Sequence, residues 1–296
     1  MTYQIRPAVV ADHDALLELI ARCQRNDAQH CLHFDRTAEG IASDLIKDDM
    51  DLVEGWWLAE QDGRLTAAFG LSPDEDEAYV YGPWSDQFNA ESAHDRELRR
   101  ALIATAMHEH GYSKITAFVD QRAPAIIEDL QAAGLPFYNY TQVMRCEQPA
   151  LQRVEPPTGV VISPFEATQR LGVTQIHDAE FAHTWLDAEG LIERAAKEGS
   201  LLVATNSSGE VLGYAQICRI PEQAEFDLNY LAVSAGNRGH GLGAALLDAA
   251  LQWAWQQADC EAVNLTVTSV NQQALRLYES RGFQLVYVGV GMIWEG

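Results

Sequence analysis

The sequence predicts an α/β (α+β) protein made of two similar domains that follow each other along the chain. Three observations lead to this prediction. Strand-like and helix-like patterns of apolar residues recur in the same order in both halves. Corresponding residues of the two series are separated by a constant 148 positions. The chain has 296 residues, of which 47% are hydrophobic and 21% charged, which is enough for two globular cores.

The second half is predicted to contain a hairpin, a strand, a helix, a strand, a short helix and a final strand. Alternating and β-branched residues indicate the strands, and an apolar stripe between Leu246 and Ala254 indicates the long helix. Gly282 is suited to end the short helix in a left-handed conformation. The corresponding stretches are SLLVAT and VLGYAQICRI around the turn NSSGE, then EFDLNYLAV, the helical stripe, AVNLTVT, NQQALRLYESRGF and QLVYVGVGMIW.

The first half repeats this order. Its stretches are WWLAEQDGRLTAAFGL, EAYVYGPW, the helix RELRRALIATAMHEH, ITAFVD, the short helix PAIIEDLQAAGL and FYNYTQVMRC. The 148-residue offset relates Ile115 to Val263, Gly134 to Gly282, and Glu77 to Glu225. A tandem duplication therefore predicts domains at residues 1–148 and 159–296, joined by the proline-rich and polar linker 149–158.

Composition restricts the classes of partner. The formal charge of −23 disfavours nucleic acid, because binding to phosphates requires clustered lysine and arginine. The same charge attracts cations such as amines, although it also serves solubility. Five scattered cysteines form no disulfide or metal pattern. Without a signal peptide or a membrane-length apolar run, we expect a cytoplasmic monomer or homodimer that binds no membrane and needs no metal.

The stretch NRGHGLGAALL, residues 237–247, lies between a predicted strand and a predicted helix. Glycines at 239, 241 and 243 can expose their backbone amides, and a helix start carries unpaired N–H groups and partial positive charge. The turn is therefore predicted to bind an anion such as a pyrophosphate, with Arg238 adding a full charge. His240 is expected to face solvent and to contribute only its amide.

An alternative is a dinucleotide-binding turn, because Gly239, Gly241 and Ala244 also satisfy G-x-G-x-x-A. That motif needs an acidic residue at the end of the next strand, to bind a ribose. Here the strand AVNLTVT ends in threonines, and Glu261 precedes it. A nicotinamide-dependent oxidoreductase is therefore the less favoured interpretation.

The residues after the turn extend the pattern. The turn contains the string R-G-x-G-x-G-A-x-L-L, which is followed by a predicted strand and then by N-x-x-A-x-x-x-Y-E-x-x-G-F. This combination resembles the GNAT superfamily of acyl-CoA N-acyltransferases. The resemblance covers about residues 160 to 296, and the whole chain looks like a tandem GNAT protein. It implies that each half is a mixed, mostly antiparallel twisted sheet flanked by helices.

The resemblance also implies a role for each site residue. Backbone groups of Leu231, Ala232 and Val233 should bind the pantetheine arm of acetyl-CoA. The pyrophosphate should lie on the turn, and Asn271 should touch the arm. Tyr278, two helical turns after Asn271, should protonate the leaving thiolate. The turn residues implied are Arg238, Gly239, His240, Gly241, Leu242, Gly243 and Ala244.

A base must take a proton from the attacking amine. Glu225, Asp227 and Asn229 are expected to alternate on one face of their strand. Asp227 stands where histone-type members of the superfamily carry a glutamate base, so we expect transfer through one water. Glu225 is the reserve candidate, and a purely binding role for Asp227 remains open.

The first half lacks these groups. At the 148-residue offset, Ala93 replaces Gly241, Asp95 replaces Gly243, and Leu130 replaces Tyr278. We therefore expect the first half not to bind coenzyme in the usual way. The predicted function is acetyl transfer to a primary amine of a small-molecule acceptor. A non-catalytic acyl-CoA sensor is the main alternative.

Overall fold

A computed structural model describes residues 3–47, 50–109, 111–150, 155–182, 184, 186–220 and 223–296. The chain divides into two compact units. The first unit is Met1–Thr141 with Tyr287–Gly296, and the second unit is Gln142–Val286. Positions 151–154 of the predicted linker and the last residue of the predicted helix RELRRALIATAMHEH lie outside the described residues. The predicted domain boundaries stay a prediction.

The first unit contains six strands in the order β1-β2-β3-β4-β5-β12. Neighbouring strands are antiparallel except β4 and β5, which are parallel. Its elements are β1 (Gln4–Pro7), α1 (His13–Gln24), α2 (Ala38–Lys47), β2 (Trp56–Gln61), β3 (Arg64–Asp74), β4 (Glu77–Ser85), α3 (Ala93–Glu109), β5 (Lys114–Asp120), α4 (Pro124–Ala132) and β12 (Gln284–Glu295), whose first residues belong to the second unit.

Both faces of this sheet are covered. Phe69 of β3 packs in a cluster with Leu102 of α3 and Leu130 of α4. Its neighbour Ala68 packs on the opposite face, with Leu16 of α1. Successive side chains of a strand point to opposite faces, so the two helix pairs bury the two faces of one sheet.

The second unit has the strand order β6-β11-β10-β9-β8-β7. Strands β7 to β10 form an antiparallel series, and β10 is parallel to β11. Helices α7 and α8 share one cluster with the sheet, and α5 and α6 share another. The elements are β6 (Phe137–Cys146, of which the first residues belong to the first unit), β7 (Val160–Pro164), α5 (Arg170–Glu180), α6 (Ala188–Glu198), β8 (Gly199–Asn206), β9 (Val211–Arg219), β10 (Glu225–Val233), α7 (Leu242–Trp255), β11 (Ala262–Thr268) and α8 (Gln272–Glu279).

The duplication predicted from the offset appears in the strand register. The parallel ladder of the first unit runs from the pair Glu77–Lys114 to Tyr79–Thr116. The ladder of the second unit runs from Glu225–Ala262 to Asp227–Asn264. Each partner in the second ladder lies 148 residues after its counterpart in the first. The fold-class prediction of two similar α/β halves is confirmed.

In each repeat, part of the final strand belongs to the other unit. Residues Gly289–Glu295 of β12 pair with β5 in the first unit, although they follow the second repeat along the chain. Residues from Gln142 onward in β6, the equivalent strand of the first repeat, belong to the second unit. A sequence pattern predicts a strand but does not identify its pairing partner.

Four helices were not predicted from the sequence, namely α1, α2, α5 and α6. Their signal is amphipathic spacing, as in α1, where Leu16, Leu19, Ile20 and Cys23 are buried. α6 also has a recognisable start, because the Asp187 side chain accepts a hydrogen bond from the Gly190 amide at 2.7 Å. Among the described helices, none is both long and apolar enough to span a bilayer.

Candidate functional site in the second unit

Strands β10 and β11 separate part of the way along their length. Their parallel ladder ends at the pair Asp227–Asn264, while β10 continues to Val233 and β11 to Thr268. Over the same stretch β10 stays paired with β9, up to Val233 opposite Gly213. One edge of β10 therefore opens into a gap that is closed at one end by the ladder.

A β-bulge lies where the gap begins. The register with β9 shifts between Leu228 and Tyr230, so Asn229 is the extra residue. Before the bulge, Leu228 packs in the α7 cluster, whereas Tyr230 and Ala232 after it pack in the α5 and α6 cluster. At the bulge, the side chains of β10 therefore change the face of the sheet to which they point. The expected alternation of Glu225, Asp227 and Asn229 on one face does not continue through Asn229.

The predicted arm-binding residues lie beyond this bulge. Leu231 and Val233 pack partly against the α7 cluster, and Ala232 is buried on the other face. Their backbone lies along the open edge of β10, which is where an extended ligand would add as a further strand. Their contact with a coenzyme stays a prediction.

The glycine turn forms the start of α7. Gly239 and Gly241 have φ angles of 80° and 83°, in the left-handed region that glycine occupies without strain. Gly241 caps the helix, and the first helical bond joins the Ala245 amide to the Gly241 carbonyl at 3.0 Å. The preceding amides of Leu242, Gly243 and Ala244 therefore have no partner within the helix.

The side chains of the turn leave this surface uncovered. A Cβ at Gly239 or Gly241 would meet nothing within 4 Å, so φ and not space requires glycine there. His240 is exposed, as expected, and the Leu242 side chain is buried. A Cβ at Gly243 would lie 3.8 Å from Val233, so the helix start lies close to the open strand.

Arg238 has protein partners in this structure. Its Nε donates to the Val233 carbonyl at 2.9 Å, and its guanidinium forms an ion pair with Glu180 of α5. The positive charge is thus placed at the turn but is shared with a carboxylate. Its predicted contact with a pyrophosphate requires at least a partial exchange of partners.

Asn271 has a structural role that sequence reasoning did not assign. Its Oδ1 accepts a hydrogen bond from the Ala274 amide at 3.1 Å and so caps α8. The Asn271 side-chain amide retains its NH₂ group as a donor. The predicted contact with a coenzyme arm therefore has to use this group or the backbone.

Tyr278 lies on α8, 8% exposed, in edge contact with Phe283 at a ring distance of 5.8 Å. Burial raises the pKa of Tyr278 to about 12. Among the described residues, none hydrogen-bonds the phenol. The hydroxyl therefore keeps its proton at neutral pH, and the proton is not already donated to another protein group.

The two candidate bases differ in their partners. Glu225 forms an ion pair of 2.6 Å with Arg145 and accepts a hydrogen bond from Asn264 at 2.8 Å. The contact with Glu225 also raises the pKa of Arg145 above its usual value. Asp227 is half-buried, in register with Cys218 on one side and Asn264 on the other. The assignment of Asp227 as the base, with Glu225 as the reserve candidate, stays a prediction.

A buried ion pair fixes the helix that carries Tyr278, and the sequence analysis missed it. Asp248 of α7 is buried and accepts a hydrogen bond from the Arg281 Nε at 2.7 Å. The signal available in the sequence was only an acidic residue close to an apolar stripe. This pair joins α7 to the segment that follows α8, and breaking a buried pair of this kind is costly.

The cysteines are not arranged for nucleophilic catalysis. Burial raises the pKa of Cys218 and of Cys31 to about 11 and that of Cys23 to about 12. Among the described residues, no group of three or more His, Cys, Asp or Glu side chains is placed to hold a metal ion.

The sequence of this unit matches a known family. Residues 170–283 match the acetyltransferase (GNAT) family. The match to this family lies in the second half of the chain. A curated mycothiol acetyltransferase of Propionibacterium freudenreichii subsp. shermanii is 26% identical over 145 residues, which are 46% of this chain and 46% of that protein. The match thus spans about half the length of that relative.

Solved structures extend the likeness of fold to the whole chain. A GCN5-related N-acetyltransferase from Sphaerobacter thermophilus aligns with a TM-score of 0.73 at 19% identity, covering 99% of this chain and 95% of that one. A tandem GNAT protein from the clavulanic acid biosynthesis pathway aligns with a TM-score of 0.69 at 16% identity, covering 99% and 98%. Both units are therefore GNAT folds, as the resemblance implied, and GNAT acetyltransferases in general use acetyl-CoA.

Proposed function

We propose that the second unit transfers an acetyl group from acetyl-CoA to a primary amine of a small-molecule acceptor. The observation that carries this proposal is the open edge of β10 leading directly into the bare start of α7. An extended pantetheine arm matches the first feature, and a pyrophosphate matches the second. The chain is expected to act in the cytoplasm.

The proposed reaction is a direct transfer. The amine nitrogen attacks the thioester carbonyl carbon, so a C–N bond forms and the C–S bond breaks. The electron pair of the broken bond goes to sulfur, and Tyr278 donates its proton to the thiolate. The surplus proton of the amine passes through a water to Asp227. Backbone N–H groups of the open strand orient the donor.

The state of Tyr278 supports its role as the acid. A phenol with a raised pKa stays protonated over the whole physiological range, and its hydroxyl has no competing acceptor among the described residues. Its burial also excludes water, which would otherwise hydrolyse the thioester. Leu130, the equivalent residue of the first unit, has no proton to donate.

Two other functions remain alternatives. A non-catalytic acyl-CoA sensor would use the same turn and gap without Tyr278 chemistry. A nicotinamide-dependent oxidoreductase would use the turn for a dinucleotide, but β11 ends in Thr268 and not in an acidic residue. The gap supports an acyl-CoA ligand over a dinucleotide, and the protonated phenol of Tyr278 supports transfer over sensing.

The deciding experiment combines calorimetry with a thiol-release assay. Purified protein is titrated with acetyl-CoA and, separately, with NADH, and is then incubated with acetyl-CoA and a panel of amines. The panel should include the acceptor of the mycothiol acetyltransferase that the sequence matches. We expect calorimetry to detect heat of binding with acetyl-CoA but not with NADH. We expect the assay to detect release of the CoA thiol with at least one amine. Binding without release on any amine would indicate the sensor, and binding of NADH alone the oxidoreductase.

A further inference from the structure

The first unit opens its sheet at the same point as the second. Its ladder between β4 and β5 also ends after three residue pairs, at Tyr79–Thr116, while β4 continues to Ser85 and β5 to Asp120. By the 148-residue offset, Ser85 corresponds to Val233. The duplicated fold thus contains two equivalent gaps.

In the first unit this gap is filled by the chain itself. Cys31 forms an antiparallel bridge with Val119 of β5. On either side of it, the Leu32 amide donates to the Phe118 carbonyl at 3.2 Å and the Asp120 amide donates to the His30 carbonyl at 3.3 Å. The segment 30–34, here called the inserted segment, therefore lies in this gap and pairs with β5, the strand equivalent to β11.

The opposite strand also contacts the inserted segment. The Cys31 thiol lies 3.8 Å from the Val80 carbonyl of β4. At the end of β4, the Ser85 amide donates to the Gln29 side chain at 2.6 Å. The backbone position that corresponds to Val233 is thus already bonded within the first unit.

Gln24 of α1 fastens the inserted segment. Its fully buried amide group bonds both the Cys31 amide and the Cys31 carbonyl at 2.8 Å, and the Phe34 carbonyl at 2.9 Å. Trp84 of β4 donates to the same side chain at 3.2 Å. A buried amide with this many partners is costly to displace, because any unpaired group would remain desolvated.

A carboxylate lies at the helix start that corresponds to the start of α7. Asp95, the counterpart of Gly243, lies in the first turn of α3 and is 6% exposed. It accepts hydrogen bonds from the Ser85 hydroxyl at 2.6 Å and the Asn89 amide at 3.0 Å, and it pairs with the buried Arg99. A carboxylate of the protein, paired with Arg99, therefore already lies in the first turn of this helix.

We propose that the first unit carries a built-in substitute for a coenzyme, with the inserted segment in place of the arm and Asp95 in place of the diphosphate. The protein consequently binds one coenzyme per chain, in the second unit. This inference rests on the proposed function for the identity of the second ligand, but its contacts in the first unit are independent of that function.

Hydrogen exchange measured by mass spectrometry tests the proposal in two steps. In the free protein, the amides of Leu32 and Asp120 should exchange as slowly as interior strand amides. With saturating acetyl-CoA, peptides from 229–233 and 241–245 should gain protection, while those from 30–34 and 117–120 stay unchanged. Calorimetry should give a stoichiometry of one.

Each result has a definite meaning. Fast exchange of the inserted segment in the free protein, two bound equivalents, or new protection in both units would overturn the proposal. Slow exchange of the segment with no effect of acetyl-CoA in either unit would support the substitution and refute the proposed function instead. The two failures are therefore distinguishable.

A variant provides a second readout. Gln24→Met should loosen the inserted segment, so that Cys31 becomes alkylated at least tenfold faster, while the affinity of the second unit for acetyl-CoA is unchanged. Arg25→Gln, an exposed neighbour, is the control and should alkylate at the wild-type rate. Equal alkylation of Cys31 in Gln24→Met and wild type would contradict the fastening role.

Discussion

At the residue scale, the hydroxyl of Tyr278 gives the clearest prediction. Tyr278→Phe removes a hydroxyl that no described residue bonds and retains the ring packed on Phe283. We expect turnover to fall by about 10–1000-fold, because the leaving thiolate loses its acid. The thermal midpoint and the affinity for acetyl-CoA should change little. Unaltered turnover would remove Tyr278 from the mechanism.

The assignment of the base is tested by comparing two carboxylates of β10. Asp227→Asn should lower kcat/KM by about tenfold or more near neutral pH, and less at alkaline pH, where the amine is already neutral. Glu225→Gln should instead lower stability by about 1 kcal/mol, since it weakens the pair with Arg145. Steady-state kinetics over pH and urea unfolding measure the two effects. The opposite pattern would make Glu225 the base.

His33 in the first unit predicts a pH dependence of stability. Burial lowers the pKa of His33 to about 4, and its Nε2 has no partner among the described residues. The unfolded chain therefore takes up this proton near pH 6.5, before the folded chain does. His33 therefore makes its full contribution to the free energy of unfolding above pH 6.5. This contribution is lost as the pH falls from 6.5 towards 4.

The corresponding experiment compares His33→Phe with wild type in urea unfolding. Between pH 7 and pH 5 the wild type should lose about 2 kcal/mol that the variant retains. His94→Phe, which changes an exposed ring, should keep the wild-type dependence. An identical loss in His33→Phe would mean that the imidazole is protonated inside the fold.

At the scale of elements, the start of α7 gives a prediction that separates charge from strain. Gly241 has φ of 83°, so any side chain there costs about 1 kcal/mol of strain. Gly241→Ala introduces the backbone strain alone. Gly241→Glu introduces the same strain and adds a negative charge beside the amides that are proposed to bind the diphosphate. We expect calorimetry to show weakened binding of acetyl-CoA for the first variant and none for the second.

Ala93→Glu places the same charge at the equivalent helix start of the first unit. This control should leave acetyl-CoA binding intact. A loss of binding in Ala93→Glu equal to that in Gly241→Glu would show that the start of α7 is not the diphosphate site.

At the scale of the whole molecule, the charge of −23 predicts opposite salt dependences for the two substrates. The field attracts a cationic amine and repels the anionic coenzyme, and salt screens both effects. Raising ionic strength from about 20 to about 200 mM should lower kcat/KM for the amine several-fold and raise kcat/KM for acetyl-CoA. If kcat/KM for both substrates did not change with ionic strength, the charge would have a role in solubility only.

Much of the architecture was accessible from the sequence. The 148-residue offset predicted the duplication, because equivalent positions in a repeated fold face equivalent packing. Alternation and helical stripes predicted the strands β8 to β11 and the helix α7, since local burial patterns follow the period of each element. Glycines with positive φ at 134 and 282 end their helices as expected.

The candidate site residues came from two sources. The glycine turn was chosen from its residue types and spacing, and Asn271 and Tyr278 from the resemblance to the GNAT superfamily. The structure places them at a helix start, a helix cap and a buried helix face. Their roles with a coenzyme stay predictions. The ion pair of Arg238 with Glu180 could not be predicted, since it joins a turn to a helix far away in sequence.

The amino-acid sequence by itself thus determined the duplication, the alternating strands and the turn that distinguishes the two halves. Each of these depends on residue type and short-range spacing. Only the tertiary structure decided where β12 pairs, where β10 turns over at Asn229, and what fills the gap of the first unit. Those outcomes depend on hydrogen bonds between backbone groups that are far apart in the sequence. Every residue type except proline offers the same backbone donor and acceptor, so residue types alone do not identify the partners.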